Sequence, residues 1–224
     1  MNVRSALEYV PYFCGRLFVV HVAAGLLRSD ELVDTLLDAD ALHEVGVRLV
    51  LVAEGCDASG LAHRAGECEM HTAAAEQPLT TGAAAVARVR EIVERRQVAI
   101  VASGASGQCD EYSVSLAREL RADKYICLLE NEVPTIDGQP IFSVLEREVG
   151  HYLPLCENPE LLRRAAEICR MGIPRVHLLD GRSRGVLLDE LFLMQNFFYL
   201  FADVHRYASA PVQNNRLSQR EKRR

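Results

Sequence analysis

The chain has 224 residues, a formal net charge of −6 and an isoelectric point near 5.7. That length suits one domain with a real hydrophobic core, and the acidic balance offers no basic face for nucleic acid. No stretch of 18 or more apolar residues occurs, so no membrane-spanning helix is expected, and without a secretory leader the expected location is the cytoplasm.

Leu17-Phe18-Val19-Val20 is β-branched and aromatic and reads as a buried strand. Ser29 offers an N-cap to a helix in which Leu32, Val33, Leu36, Leu37, Leu42 and Val45 recur at helical spacing, with Gly46 as its terminator. Val47 to Val52 follows as a second strand. Strand, helix, strand within about forty residues is a βαβ unit and implies parallel strands. Ala53 to Gly82 has no firm period and reads as irregular.

Order returns with a helix over Ala85–Arg96, a strand over Val98–Ala102, and a flexible turn, Ser103 to Gly107. A helix from about Asp110 to Arg121 leads into a strand over Tyr125–Leu129. Asp137-Gly138 marks a hairpin within Val133–Ile141. Pro159 opens a helix running to about Met171, ahead of a strand at Arg175–Leu179 and a last helix from about Gly185. The alternation predicts an α/β fold, a mainly parallel sheet sandwiched between helices. It assigns residues 1–195 to one domain and 196–224 to a divergent tail with a disordered basic end.

Seven cysteines (14, 56, 68, 109, 127, 156 and 169) are scattered without CxxC spacing, which argues against disulfides and structural zinc. Phe197 to Phe201 is apolar and needs burial, in the core, at a sheet edge or against another chain. Arg216 to Arg224 carries five basic residues and one acid, the composition of a solvated end.

Four segments, in order, resemble the N-acetylglutamate kinase and synthase family of the amino-acid kinase (carbamate kinase-like) fold. They are Tyr9 to Val20, His43 to Val52, Leu116 to Leu128, and Gly172 to Arg182 continuing through Leu187 to Phe192. The most specific is Val176-His177-Leu178-Leu179-Asp180-Gly181-Arg182. In kinases of this family, as the resemblance implies, glycine-rich turns after the first two strands cradle phosphate, and lysines neutralise charge between the reacting oxygens.

This chain departs at those points. His21 stands for the first-strand lysine and Ala23-Ala24 for its glycine pair, leaving Gly25 one place later. The second turn reads Glu54-Gly55-Cys56. A carboxylate ~4 Å from a phosphate charge costs roughly 4 kcal/mol at an effective dielectric of about 20. Pro78-Leu79-Thr80-Thr81 lacks the substrate-pairing arginine, Gln108-Cys109-Asp110 keeps only the aspartate of an Asn-x-Asp element, and Leu129-Glu130 stands for Thr-Asp. No second lysine precedes the helix at Glu160, as in the synthases. The 32 residues after Phe192 are too few for the synthases' acetyltransferase domain.

The resemblance therefore implies a catalytically degenerate domain with a regulatory or structural role in arginine-type amino-acid metabolism. The alternatives are an active N-acetylglutamate kinase and a ligand-free interaction subunit. Gly25, Gly55 and Asp110 are the candidate ligand-binding positions; no catalytic residue or metal ligand is assigned. No cofactor is expected, ATP with Mg²⁺ entering only in the kinase alternative. The expected partners are a small amino-acid-like ligand and a second copy in a two-fold dimer, with no nucleic acid and no membrane. Local readings stand beside these: His21 and His177 as satisfied strand histidines, Asp110 as an N-cap, and Lys124 at a helix C-terminus.

Overall fold

A computed structural model describes residues 11, 13–55, 58–75, 82–104, 107, 109–130, 133–141, 143–192 and 198–201. In chain order these form β1 (Leu17–Val22), a 3₁₀ turn (Leu26–Arg28), α1 (Glu31–Glu44), β2 (Arg48–Ala53), α2 (Ala58–Glu67), β3 (Thr72–Ala74), α3 (Ala83–Glu94) and β4 (Val98–Ala102). Then come α4 (Glu111–Leu120), β5 (Lys124–Leu129), β6 (Thr135–Ile136), β7 (Gln139–Pro140), β8 (Ser143–Leu145) and α5 (Val149–Tyr152). The last four are α6 (Pro159–Arg170), β9 (Arg175–Asp180), α7 (Val186–Phe192) and β10 (Phe198–Phe201).

Eight strands form one sheet in the order β3-β4-β2-β1-β5-β9-β10-β8. The six from β3 to β9 are parallel; β10 runs antiparallel to β9 and parallel to β8. Strands buried on both faces carry near-continuous apolar runs, which is why β1, β2, β4 and β5 were legible as strands. Alternate residues feed two cores. Leu17, Val19 and Val50 join apolar side chains of α3, α4 and α6, whereas Phe18, Val20 and Leu49 join those of α1, α2 and α7. Helices thus cover both faces, as the sequence predicted.

Three local readings change. The helix after β1 starts one residue later than Ser29 implies: Asp30 is its N-cap residue and the Ser29 hydroxyl donates to Leu26 O. The stretch read as irregular contains α2 and β3. Their small residues, with only Ala58, Leu61 and Ala65 of α2 buried, leave too little apolar stripe to show a period. Lys124 begins β5 rather than ending a helix; its ammonium sits 5.2 Å from the ring centroids of both Phe13 and Phe18.

The hairpin forms as expected: Ile136 pairs with Gln139 across Asp137-Gly138, both with positive φ, the conformation of a two-residue turn. Gly46 follows α1 with φ +91°, and a Cβ there would lie 2.8 Å from Cys14 Sγ. Phe198 to Phe201, in the aromatic run, form a strand of the main sheet. Among the described residues no helix is long and apolar enough to cross a membrane.

Candidate functional site

In an open parallel sheet the ligand crevice lies beyond the carboxyl ends of the strands, where the strand order reverses. Here β1 connects outward to β2 on one side, and β5 and β9 lie on the other, so the reversal is between β1 and β5. Four loops meet at this end: the turn after β1 and the loops after β2, β4 and β5.

Those loops are joined through side-chain carboxylates. Glu54, after β2, accepts the Ala24 N–H at 2.9 Å through Oε2 and the Gly107 N–H at 2.5 Å through Oε1. Glu130, after β5, accepts the Gly25 N–H. A Cβ on Gly25 would collide with the Glu130 carboxylate, so glycine at this position leaves room for the carboxylate to lie on the turn. The loops after β2 and β4 are further tied by Gly104 N–H to Gly55 O at 2.8 Å and by Gly55 N–H to Ser103 Oγ at 3.2 Å. Backbone N–H groups in such a turn form an anion nest. In this chain its anions are two of its own glutamates.

Beneath the loops lies a second polar cluster, sealed from solvent. His21 of β1 faces the same core as Tyr125 and Cys127 of β5, because His21 and Cys127 are register partners. Its Nε2 lies 2.9 Å from Asp110 Oδ2, both side chains being buried; the contact is within hydrogen-bond reach but off the ordinary alignment, and neither atom meets another partner among the described residues. Asp110 is also the N-cap of α4, accepting the Ser113 N–H at 2.9 Å. On the other side of the ring, Nδ1 lies 3.6 Å from Cys127 Sγ. A proton on Nε2 suits the carboxylate and leaves Nδ1 to accept from the Cys127 thiol. Tyr125 continues the chain, its hydroxyl 2.7 Å from Ser113 Oγ, which itself donates to Asp110 O.

Burial alone would raise the Asp110 carboxyl. Hydrogen bonds from His21 and from the Ser113 N–H outweigh it and hold the group below the ordinary aspartate value. The Cys127 thiol moves the other way, well up, through its contact with the Cys109 side chain and through burial. Burial likewise drives the Tyr125 phenol up. By distance Cys127, His21 and Asp110 resemble a nucleophilic triad. Burial refutes that: Cys127 and His21 are both 0 % exposed, and a thiol held protonated is a poor nucleophile. The cluster is a structural polar core, and among the described residues no group of three or more His, Cys, Asp or Glu is placed to hold a metal ion.

Of the candidate positions, Gly25 presents its N–H to Glu130 and Asp110 pairs with His21. Gly55 adopts a left-handed φ of +84° and borders an open cleft of about 460 Å³ between the 3₁₀ turn and α2. Sequence reasoning missed Glu130 as a contact of Gly25; the signal was a glutamate directly after β5, the strand beside β1. The expected Pro78 to Thr81 element lies outside the described residues, as does Gln108. His177 is buried within β9.

No family model matches the chain. Over 106 residues it is 34% identical to an amino-acid acetyltransferase of Photobacterium profundum, a match covering 41% of this chain and 24% of that protein. One from Vibrio cholerae is 29% identical over 111 residues, 41% of this chain and 25% of that protein. The matches span about a quarter of the length of these curated relatives. Among solved structures, N-acetylglutamate synthase from Neisseria gonorrhoeae, complexed with coenzyme A and N-acetyl-glutamate, superposes with a TM-score of 0.74 at 17% identity, covering 90% of this chain and 63% of that one. Carbamate kinase from Giardia lamblia, bound to citric acid, gives 0.59 at 8% identity over 84% of this chain and 99% of that one. The chain has the amino-acid kinase fold and resembles the amino-acid kinase domain of the N-acetylglutamate synthases.

Proposed function

We propose that this chain is an amino-acid kinase-fold domain that does not transfer phosphoryl groups, and that it serves a regulatory or structural role beside amino-acid metabolism of the arginine type. The observation that carries this reading is the occupation of the turn N–H groups by Glu54 and Glu130. Phosphoryl transfer depends on placing positive or N–H-bearing groups around the phosphate oxygens. Here the Ala24, Gly25 and Gly107 N–H groups already have carboxylate partners, and those of Gly55 and Gly104 are taken by Ser103 Oγ and Gly55 O. A polyphosphate entering the crevice would displace both carboxylates or lie against them. His21, at the position the resemblance gives to a lysine, is committed to Asp110 beneath the surface.

Titration calorimetry with ATP and Mg²⁺ tests the proposal. The expected affinity is no tighter than about millimolar, roughly −4 kcal/mol. Micromolar binding, or ATP turnover dependent on N-acetylglutamate, overturns it in favour of the kinase alternative.

A further inference from the structure

We infer that the cleft between the 3₁₀ turn and α2 is a binding site for a free, unacylated α-amino acid with an apolar side chain. This rests on the reading that the neighbouring phosphate crevice is closed: Glu130 lies on the Gly25 turn at the β1/β5 reversal, and the cleft over β1 and β2 is an open volume beside it. Its volume, about 460 Å³, suits a small metabolite.

The lining separates into three chemistries. Arg28 and Arg64 supply positive charge. Arg64 bridges the cleft's two walls, its Nη2 donating to Ser29 O at 3.4 Å while its Nε lies 3.8 Å from Glu67 on its own helix. The exposed Arg28 guanidinium has no ion-pair partner among the described residues. Guanidinium groups pair best with a planar carboxylate. The half-buried Leu27 adds apolar surface, and Leu61, a core side chain, also borders the cleft. Glu54 contributes a carboxylate whose two oxygens each accept one backbone N–H, leaving a lone-pair direction on each for another donor.

A ligand that satisfies all three carries a carboxylate for the arginines, an ammonium for Glu54 and an apolar side chain for the leucines. N-acylation removes the ammonium, and a phosphate or second carboxylate would face Glu54 with like charge.

The test is calorimetry on the full chain with L-leucine, N-acetyl-L-leucine and L-leucinamide. L-Leucine binds, and each derivative binds about tenfold more weakly, the loss of one charge-assisted contact worth ~1.4 kcal/mol. Arg28→Ala and Arg64→Ala each weaken L-leucine at least about fivefold, with unfolding transitions confirming that both variants remain folded. Glu54→Gln removes the preference for L-leucine over its N-acetyl derivative. Equal binding of the two by the unaltered chain, no binding of L-leucine, or unchanged affinity in both arginine variants overturns the inference. Silent ATP with silent leucine removes this inference alone, whereas micromolar ATP binding removes the closed-crevice reading beneath it.

Discussion

Two sets of carboxylate contacts lie a few residues apart at the same end of the sheet, and they differ in how much water reaches them. Asp110 is 7 % exposed and faces a histidine that is wholly buried. Glu54 and Glu130 sit half-buried at the loops and, among the described residues, accept from backbone N–H groups. The first is a fixed part of the core, because a carboxylate or an imidazole N–H left without its partner in a dry interior keeps its desolvation cost and loses the contact that offsets it. The second can exchange with water or with solute anions. Depth, more than residue type, separates the polar groups sealed in this fold from those at the rim of its crevice.

The largest effect expected is at Asp110. Asp110→Ala strands the His21 Nε2–H in the core and removes the N-cap of α4, a loss of about 2–4 kcal/mol in urea unfolding. Asp110→Asn, which keeps an oxygen for the Ser113 N–H, loses less. The pH dependence has a definite sign. Because the folded carboxyl lies below its ordinary value, Asp110 contributes stability above the unfolded value of about 3.9, and this is lost as pH falls through the lower folded value. Stability of the unaltered chain therefore falls more steeply below about pH 4 than that of Asp110→Asn. Equal slopes would mean that the folded environment does not hold the Asp110 carboxyl below its ordinary value.

At the rim the effect is smaller and responds to solutes. Glu54→Gln and Glu130→Gln should each cost about 1 kcal/mol, at the low end for charge-assisted bonds because both groups are half-buried. Sulfate stabilises folded chains generally, so added sulfate should raise the melting temperature of the double variant more than that of the unaltered chain. If sulfate stabilises both equally, the nest is not held by these glutamates.

The smallest effect lies at Asp38 of α1, whose Oδ2 accepts the Leu187 N–H of α7 at 3.1 Å. Burial pushes its carboxyl above the ordinary value, against the pull of the Leu187 and Leu188 N–H groups; Asp34 and Asp189 add to the rise, and Arg184 pairs with Asp34 at 2.8 Å. Asp38 thus contributes stability that is full below the unfolded value of about 3.9 and lost as pH rises through its raised folded value. Relative to Asp38→Asn, the unaltered chain should gain less than about 1 kcal/mol as pH falls from about 7 to 4. A gain in the opposite direction would place the carboxylate in a more favourable setting than its burial implies.

How much was legible follows from period and depth. β1, β2, β4 and β5 announced themselves because strands buried on both faces are apolar throughout. The hairpin did so because Asp137-Gly138 admits the φ its turn demands. α2 and β3 did not, since alanine and glycine carry little periodic contrast. At the site, His21 and Asp110 were each read as locally satisfied. Their partnership depends on bringing the end of β1 to the start of α4 across 89 residues, which no local pattern records. Glu130 was legible only as a departure from a family motif. That it lies on Gly25 follows from β5 being the neighbour of β1, a fact of strand order.

Strand order also sets a timetable. β8 pairs with β10, and β10 lies between it and β9, so Ser143–Leu145 join the sheet through a segment more than fifty residues downstream. The parallel core from β3 to β9 is complete in sequence by Asp180, whereas β8 waits for Phe201 to be synthesised. Until then β9 presents a row of unpaired backbone groups, the template on which strands of other chains add. During synthesis, the short segment Phe198–Phe201 therefore acts as a closing guard: its arrival covers that edge and brings in β8.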